Sequence, residues 1–395
     1  MLRLGPSFIQ NPHPAYDLLR RQGAAHQIEM AGGVPVWLIT RYAEARSLLA
    51  DPRLCKDGAT ASALYPAGTD VSVAVWGDNM LFRDPPDHTR LRRFVTAAFT
   101  AHSVEKLRST VAAIVDELLA AVAASAPGPV DLMQALARPL PIRVLDELLG
   151  VPPDHRDRFY FLAALMFTSA DAAELTCAQG QLTQLLRMMM AVKRDQPADD
   201  LLSGLIHLRE NGDRLSEEEL LGTACLLIVA GYETTANLIG NGVLALLTHE
   251  AQLHALRADR SLLPATVEEA LRYDSPVNAA SVRFTNAPIQ LGEVTIPAGH
   301  LVLIALQSAN RDVAQFAGPH RFDLSRTGNR HLAFGHGAHY CLGAPLARMQ
   351  AEIAFDGLLS RFDRIELARS EPLRYRPSTL LRGLHTLPVL LGRSD

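Results

Sequence analysis

The stretch that decides the fold is FGHGAHYCLG, from Phe334 to Gly343, which continues into APLARMQ at residues 344–350. It places one cysteine, Cys341, between glycines and directly before a segment with helical spacing. Glycine has no Cβ, so this backbone can turn tightly and approach a flat ligand closely. Pro345 suits a first helical turn, so Cys341 should lie where free amide N–H groups and the positive end of a helix dipole converge. Both influences favour the thiolate, which is the form of cysteine that binds a metal.

The simplest interpretation of Cys341 is a small buried core residue, as most free cysteines are. Its neighbours favour a metal ligand instead, because the stretch resembles the haem-binding loop of the cytochrome P450 superfamily, Phe-x-x-Gly-x-[His/Arg]-x-Cys-x-Gly. Phe334, Gly337, His339, Cys341 and Gly343 fill that pattern without a gap. The resemblance implies that Cys341 is the axial thiolate on the iron of haem b, which is iron protoporphyrin IX. The loop residues that it assigns to the cofactor site are Phe334, Gly335, His339, Cys341 and Gly343.

A second motif lies within a long apolar helix. Ser216 and Glu219 form a capping-box signature, and helical spacing continues from there to about Thr248. Inside this helix, AGYETT at residues 230–235 sets a glycine and an acid among apolar residues. A glycine in a helix interior and an acid among apolar residues both lower the stability of the helix. Residues that lower local stability in this way concentrate at functional sites. Taken alone, the pattern fits a functional site no better than a structural interpretation, in which Glu233 faces solvent and Gly231 allows a tight helix crossing.

This second motif resembles the central-helix motif of the same family, Ala-Gly-x-[Asp/Glu]-Thr-Thr. The resemblance implies that Ala230 and Gly231 lie against the cofactor, and that Gly231 makes room for dioxygen. Glu233 and Thr234 would be the catalytic acid–alcohol pair that organises proton delivery to dioxygen. Proton relay needs an acid together with a hydroxyl that can both donate and accept, and these residue types fit.

Two sets of charged residues extend the resemblance. Glu269 and Arg272, at i and i+3 on one helical face, resemble the structural Glu-x-x-Arg signature of the family, whose downstream arginine partner we assign to Arg321. Haem brings two propionates, and buried carboxylates require cationic or hydrogen-bonding partners. The residues that the resemblance assigns to the propionates are His88, Arg92, Arg283 and His339.

The composition describes a globular protein and argues against nucleic acid as a partner. The 395 residues are 48% hydrophobic and 20% charged, with a formal net charge of −4, so no basic face dominates. The four cysteines are widely spaced without a CxxC pair, which fits a reducing compartment. The N-terminus has no apolar targeting region, and the most apolar run, 220–232, is shorter than the roughly 20 residues that span a bilayer. We therefore expect a cytoplasmic monomer without a membrane partner.

The hydrophobic pattern predicts a mainly α-helical chain with a smaller β region. Helical spacing covers 11–23, 42–50, 104–124, 139–149 and two stretches within 154–194 that break near 169–171. Strands are predicted at 34–40, around 294–306 and at 384–390, and residues 56–82 are interpreted as a long loop that covers the substrate. No repeat or linker divides the chain, so we expect one domain, 1–395. The resemblance implies the cytochrome P450 fold, a triangular prism with haem between the central helix and the helix that follows Cys341.

As a whole, the resemblance implies a haem-thiolate monooxygenase of bacterial type, active in antibiotic or other secondary-metabolite biosynthesis. It would use dioxygen as co-substrate, and electrons from a separate ferredoxin or flavodoxin with its NAD(P)H-dependent reductase. The substrate would be a sizeable hydrophobic molecule that is hydroxylated or epoxidised, and the electron donor would dock near Cys341 with Arg93 and Arg348 as contacts. The predicted substrate contacts, largely apolar, are Trp76, Met80, Leu81, Met166, Phe167, Leu226, Val229, Val277, Asn278, Ala279, Leu380 and Leu381.

Two alternatives remain open at this stage. A haem-thiolate enzyme can instead catalyse peroxide-driven oxidation or oxidative ring coupling, and the acid–alcohol pair favours dioxygen activation over that chemistry. The other alternative, from a different class, is a haem-dependent binding protein without turnover, and the presence of both Cys341 and Thr234 argues against it.

Overall fold

The computed structural model of the chain describes residues 2–30, 33–65, 79–124, 128–168, 171–210, 212–368 and 372–392. Helices dominate these residues and the sheets are small, so the predicted fold class is confirmed. The helices are α1 (Pro6–Gln10), α2 (His13–Gln22), α3 (Tyr42–Leu49), α4 (Gly58–Ala63), α5 (Asp87–Ala98), α6 (Ala101–Lys106), α7 (Arg108–Ala124), α8 (Pro139–Leu149), α9 (Arg156–Thr168), α10 (Ala172–Asp195), α11 (Leu201–His207), α12 (Glu217–Gly231), α13 (Glu233–Thr248), α14 (Glu250–Ala258), α15 (Leu263–Tyr273), α16 (Leu306–Ala309) and α17 (Ala344–Arg361). A π-helical turn at Met133–Ala137 directly precedes α8.

The strands form three sheets within the described part of the chain. They are β1 (Leu2–Arg3), β2 (Ala25–Glu29), β3 (Pro35–Ile39), β4 (Leu54–Cys55), β5 (Val130–Asp131), β6 (Arg283–Thr285), β7 (Ile289–Leu291), β8 (Val294–Ile296), β9 (Leu301–Ile304), β10 (Arg364–Leu367) and β11 (Pro388–Gly392). The largest sheet has the order β1-β2-β3-β9-β6-β4, the second has the order β10-β11-β5, and β7 and β8 form a hairpin. In the largest sheet β3 runs parallel to β9, while β6 is antiparallel to both β9 and β4.

Most predicted elements are confirmed to within a few residues, including the break between α9 and α10. Three of these predictions are wrong, and one of them is the continuous helix from Ser216 to Thr248. The helix predicted at 104–124 is divided into α6 and α7 at Leu107. Residues 58–63, predicted as loop, form α4, which begins because the Asp57 carboxylate accepts a hydrogen bond from the Thr60 N–H. Much of the predicted loop, residues 66–78, lies outside the described residues.

The long helix predicted from Ser216 to Thr248 has the predicted ends. At its start the Ser216 hydroxyl accepts a hydrogen bond from the Glu219 N–H at 3.2 Å, and the Glu219 carboxylate accepts one from the Ser216 N–H at 2.7 Å. The predicted capping box is therefore confirmed.

A single continuous helix is, however, the wrong description of this element. The helix is interrupted at Tyr232, which separates α12 from α13. Directly before the break Gly231 packs on α8, and a Cβ added to Gly231 would lie 3.2 Å from Leu145 Cδ2. The break makes Glu233 the first residue of α13, where the positive end of a helix dipole favours a carboxylate.

Three apolar cores among the described residues hold the helices and sheets together. The largest contains residues of α7, α8, α12, α13, α15 and α17, and α13 packs on both α15 and α17. The helix that follows the Cys341 loop is thereby held against the central helix. Two smaller cores cover the two faces of the large sheet: Ile39 and Val302 face one core, and Leu38 and Leu301 face the other, as the alternation of side chains along strands requires.

The Glu-x-x-Arg signature on α15 is buried and structural, and its third partner differs from the predicted one. Arg272 donates to the Glu269 carboxylate at 2.7 and 2.8 Å, and both residues are almost fully buried. The arginine that completes the cluster is Arg326, whose Nε lies 3.1 Å from Glu269 Oε2. The assignment to Arg321 is wrong, because Arg321 is exposed and contributes its backbone carbonyl, which accepts a hydrogen bond from Arg272 at 2.8 Å.

Candidate active site

The loop that carries Cys341 depends on two glycines with left-handed backbone. Gly335 has φ 73° and Gly337 has φ 74°, a region that residues with a Cβ rarely adopt. Space is also limiting at Gly337, where an added Cβ would lie 2.9 Å from the Cα of Ala50. The Cys341 N–H then donates to the Phe334 carbonyl at 2.9 Å, which closes the loop directly before α17. The loop is therefore fixed by its own backbone and by α3.

The surroundings of the Cys341 thiol act on its pKa in opposite directions. Burial within the surrounding protein raises the pKa of the Cys341 thiol, although the residue is exposed at the surface of the described chain. The N–H groups of Gly343 and Ala344 and the charges of Arg92 and Arg348 lower this pKa. The amide groups at the start of α17 thus favour the thiolate, as predicted, and burial opposes them. A bound metal ion changes this balance, because a coordinating thiol loses its proton outright.

Two buried side chains beside this loop, those of His88 and Arg283, have nitrogen atoms without a hydrogen-bond partner among the described residues. His88 is 2% exposed, yet neither of its ring nitrogens forms a hydrogen bond to a described residue. Its ring lies against that of His339, with 4.1 Å between the centroids. Arg283, also buried, donates from Nη1 to the Leu49 carbonyl at 3.2 Å, and its Nε makes no hydrogen bond within the described chain. Arg92 donates to the Tyr340 carbonyl at 2.7 Å.

These orphaned donors provide a test of whether the site fits a haem. Buried polar groups without partners are rare in folded proteins and call for an explanation. Two carboxylates at this position would satisfy both His88 and Arg283, and haem propionates are such carboxylates. The residues predicted to hold the propionates lie close to one another at the Cys341 loop. Besides burial, the charges of His88, Arg92 and Arg283 all lower the pKa of His339, and the His88 ring lies against that of His339. The site therefore fits the cofactor.

The break in the central helix carries the predicted acid and alcohol. Ala230 is exposed, whereas Ile228 and Tyr232, two residues to either side of it, are buried. The Thr234 hydroxyl donates to the Ala230 carbonyl at 2.6 Å. Glu233 points elsewhere: it is 3% exposed, and its Oε1 accepts a hydrogen bond from Arg376 Nη1 at 2.9 Å. Burial raises the pKa of Glu233, while the charges of Arg376 and Arg138 lower it.

The predicted substrate contacts divide into three groups. Half-buried side chains that pack at the edge of the main core include Met80, Met166, Phe167 and Val229, and Leu81 and Leu226 are also half-buried. Phe167 stacks edge-on against Tyr232, with 5.5 Å between the ring centroids, so the end of α9 meets the break in the central helix. Val277 and Leu381 pair through an isolated β-bridge, and Leu380 is half-buried beside them. Trp76 lies outside the described residues.

Asn278 and Ala279 form the third group, and both are buried against other parts of the protein. Asn278 is 5% exposed, its side-chain oxygen accepts a hydrogen bond from the Tyr16 hydroxyl at 3.0 Å, and its amide donates to the Thr379 carbonyl at 2.7 Å. Ala279 is 1% exposed. These bonds join the segment after α15 to the C-terminal region, which gives no support to a substrate contact by either residue.

The two arginines predicted to meet an electron donor both form ion pairs within the chain. Arg93 Nε lies 2.6 Å from Glu210, and Arg348 Nε lies 2.6 Å from Glu268. Arg348 also stacks over the Phe334 ring, with 4.6 Å to its centroid, so it supports the Cys341 loop from within. Sequence reasoning missed this role of Arg348. It also missed Arg376, for which the sequence offers no signal, because 143 residues separate Arg376 from Glu233.

The fold and this site define a haem-thiolate oxidoreductase, and comparison with known proteins identifies the family. The cytochrome P450 family model matches residues 153–388, more than half of the chain, and the chain belongs to this family. Members of the family use a haem-thiolate cofactor with dioxygen as co-substrate, and this chain is a P450 monooxygenase. No helix in the part of the chain that the structure describes is long and apolar enough to cross a membrane.

Three relatives illustrate how close the similarity is. The chain is 46% identical to the cytochrome P450 monooxygenase PikC of Streptomyces venezuelae, over 98% of this chain and 92% of that protein. It is 44% identical to a vitamin D(3) 25-hydroxylase of Pseudonocardia autotrophica, over 98% of this chain and 95% of the relative. The structure of the tirandamycin C-bound P450 monooxygenase TamI superimposes with a TM-score of 0.91 at 45% identity, covering 99% of this chain and all of that one.

Proposed function

We propose that residues 1–395 act as one monooxygenase domain in which Cys341 is the axial ligand of the haem iron. The observation that carries this proposal is the pairing of the Cys341 loop with buried, partnerless donors on His88 and Arg283. His88, Arg92, Arg283 and His339 would hold the propionates. Phe334, Gly335 and Gly343 would lie against the porphyrin on the side of the thiolate, and Ala230 and Gly231 would lie on the opposite side.

The chain's own contribution to the reaction is to bind the haem, to orient the substrate and to deliver protons. When bound, the haem supplies the activation of dioxygen, which places one oxygen atom in the substrate and releases the other as water. The Thr234 hydroxyl can donate one hydrogen bond while it accepts another, so it can pass a proton once it leaves the Ala230 carbonyl. Glu233 would take up a proton from water and pass it to this hydroxyl, while Arg376 holds the Glu233 carboxylate in place.

For electrons, we propose a separate ferredoxin or flavodoxin with an NAD(P)H-dependent reductase. The support is that P450 homologues of this kind typically receive their electrons from redox partners. Since Arg93 and Arg348 are already paired with Glu210 and Glu268, we do not retain them as the main docking contacts.

For the substrate, we propose a sizeable hydrophobic natural product that is hydroxylated or epoxidised. The half-buried side chains near the central helix are apolar, among them Met80, Met166, Phe167 and Val229. A surface of this kind recognises a ligand by shape, with few polar anchors. The named ligands of two relatives, vitamin D(3) and tirandamycin C, support a substrate of this size and polarity. A spin-state titration against a panel of such scaffolds would identify the class.

The test of the haem assignment is the carbon-monoxide difference spectrum of the reduced protein. We expect the wild-type protein to give the red-shifted band of a thiolate-ligated haem, and Cys341→Ser to lose it. Cys177→Ser is the matched control, because Cys177 is also a free and exposed cysteine but lies on α10. A thiolate band that survives in Cys341→Ser would reject Cys341 as the ligand.

The test of the proton relay is Thr234→Ala. We expect oxygen consumption to continue while product per NADPH falls and peroxide rises. Thr248→Ala is a suitable control, because the Thr248 hydroxyl makes the same bond to the carbonyl four residues earlier, at 2.8 Å, at the far end of α13. Equal coupling of oxygen consumption to product in both variants would reject the relay.

A further inference from the structure

Lys56 is a buried lysine whose charge has no carboxylate partner in the described structure. The residue is 2% exposed, and its Nζ donates to the Ser281 hydroxyl at 2.7 Å. Burial lowers the pKa of Lys56 well below its ordinary value, and the charge of Arg283 lowers it further. Burying an ammonium group without an anion is costly, so this position needs an explanation.

The strand register sets Lys56 against Arg283. In the β4–β6 pair Leu54 lies opposite Thr285 and Cys55 opposite Phe284, so the next position places Lys56 opposite Arg283. Ser281, which accepts the hydrogen bond from Lys56, lies two residues before Arg283 and thus on the same side of an extended chain. Like charges that lie opposite each other on neighbouring strands are destabilising. The fold therefore concentrates positive charge at this edge of the sheet.

The charge of Lys56 also extends to the predicted propionate residues. After burial, which is the largest cause, the charges of Lys56 and its neighbours act on the pKa of both His88 and His339 and lower it. Lys56, Arg283 and the two histidines thus belong to one cluster at the Cys341 loop. None of the sequence motifs of the haem site includes Lys56.

The anions among the described residues do not balance this cluster. The carboxylate that acts on both Lys56 and Arg283 is that of Asp84, which accepts hydrogen bonds from the Lys56 N–H at 2.9 and 3.0 Å and from the Asp57 N–H at 3.0 Å. When Lys56 is protonated, the cluster contains three cationic side chains, those of Lys56, Arg92 and Arg283, against one carboxylate. The excess of two positive charges equals the number of carboxylates that a haem brings.

We propose that Lys56 is a further propionate-binding residue, which donates a charge-assisted hydrogen bond to one haem propionate and balances the charge of the site with Arg92 and Arg283. The proposal rests on the proposed haem site and adds to it a residue directly after β4 that the family motifs do not specify. It explains why an ammonium group is buried opposite an arginine: the partner of both is the cofactor.

The experiment measures haem retention in the holoenzyme, as transfer of haem to excess apomyoglobin. We expect Lys56→Met to transfer haem about tenfold faster than wild type, as loss of a charge-assisted hydrogen bond implies. Lys56→Arg, which keeps the charge, should stay within about threefold of wild type. The haem reduction potential of Lys56→Met should also fall, because an unbalanced propionate stabilises the ferric state.

Two controls separate this role from a structural one. Ser281→Ala removes the hydrogen-bond acceptor of Lys56 but keeps its charge, and Lys106→Met removes a lysine that is exposed on α6. Both should retain haem as wild type does. If Lys56→Met is not recovered with haem, Lys56→Gln, whose amide can still bond Ser281, takes its place with the same expectation. Equal effects of Lys56→Met and Ser281→Ala on haem transfer would overturn the proposal. So would wild-type haem transfer in Lys56→Met, or in Lys56→Gln where that variant replaces it. Failure of wild type to show a thiolate-ligated haem would instead reject the proposed function.

Discussion

The Glu233 carboxylate accepts a 2.9 Å hydrogen bond from Arg376 Nη1, and this bond joins the break in the central helix to the C-terminal region. The Glu233 side chain is 4% exposed and that of Arg376 is 17% exposed, so the pair is largely shielded from water. The second oxygen of Glu233 makes no hydrogen bond to a described residue. Arg376 is thus the group that fixes the position of the Glu233 carboxylate.

This relationship makes Arg376 a positioning residue for the proposed relay. In Arg376→Gln the buried carboxylate loses its cation, so the pKa of Glu233 should rise further above its ordinary value. We expect the Glu233 carboxylate to be less ionised at neutral pH and so less able to take up the proton that it passes on. As a result kcat should fall about tenfold at pH 7, and part of the loss should be recovered at higher pH. The measurement is the pH profile of kcat with a surrogate electron-transfer system.

Arg374→Gln is the control for this variant, because Arg374 lies on the same segment but is exposed. It should leave the pH profile unchanged. If Arg376→Gln lowers kcat by the same factor at every pH, then Arg376 supports the fold and not the ionisation of Glu233.

The Glu269–Arg272–Arg326 cluster predicts unequal effects for two nearby arginines. Arg326→Met removes a buried partner of Glu269 and three hydrogen bonds to backbone carbonyls, so it should lower the free energy of unfolding by about 2–4 kcal/mol. Arg321→Met should cost less than about 0.5 kcal/mol, because that side chain is exposed. Urea unfolding of the two variants compares them directly, and a larger loss from Arg321→Met would contradict the observed cluster.

Substitutions at two glycines of the Cys341 loop distinguish the cost of backbone strain from the cost of steric contact. Gly335→Ala and Gly337→Ala both place a Cβ on left-handed backbone, at a cost of about 1–2 kcal/mol each. At Gly335 the nearest atom to the added Cβ is 3.8 Å away, whereas at Gly337 the Ala50 Cα is 2.9 Å away. We expect Gly337→Ala to lose clearly more stability and haem content than Gly335→Ala. Haem-to-protein absorbance ratios and thermal unfolding measure both, and equal losses would show that contact with α3 is unimportant.

The ion pairs of Glu268 predict a pH dependence of stability. Burial raises the pKa of Glu268, but hydrogen bonds from His331 and Arg348 outweigh it and lower this pKa to about 2. Since the folded-state pKa lies below the unfolded value, the stabilisation is fully present above the ordinary pKa of 4.5 and is lost as the pH falls towards 2. Glu268→Gln should therefore cost about 1–2 kcal/mol at pH 7, and the difference from wild type should narrow below pH 4.5. Urea titrations at several pH values test this, and a difference that is independent of pH would contradict it.

The sequence by itself determined the fold class, most element bounds and the identity of the haem loop. These features depend on local chemistry: the periodicity of apolar residues, the capping box at Ser216, and glycines placed where the backbone must turn left-handed at Gly335 and Gly337. Each can be recognised within a window of a few residues. The same holds for the positions of Glu233, Thr234, His88 and Arg92, which occur in short motifs.

The tertiary structure alone decided which charges meet. Arg376 rather than a neighbour in sequence holds Glu233, Arg326 replaces Arg321 beside Glu269, and the β4–β6 register sets Lys56 opposite Arg283. It also decided the surroundings of the Cys341 thiol, where burial raises the pKa and opposes the N–H groups of Gly343 and Ala344. The physical reason is common to all four: burial and ion pairing depend on segments brought together from distant parts of the chain, and a local pattern specifies neither.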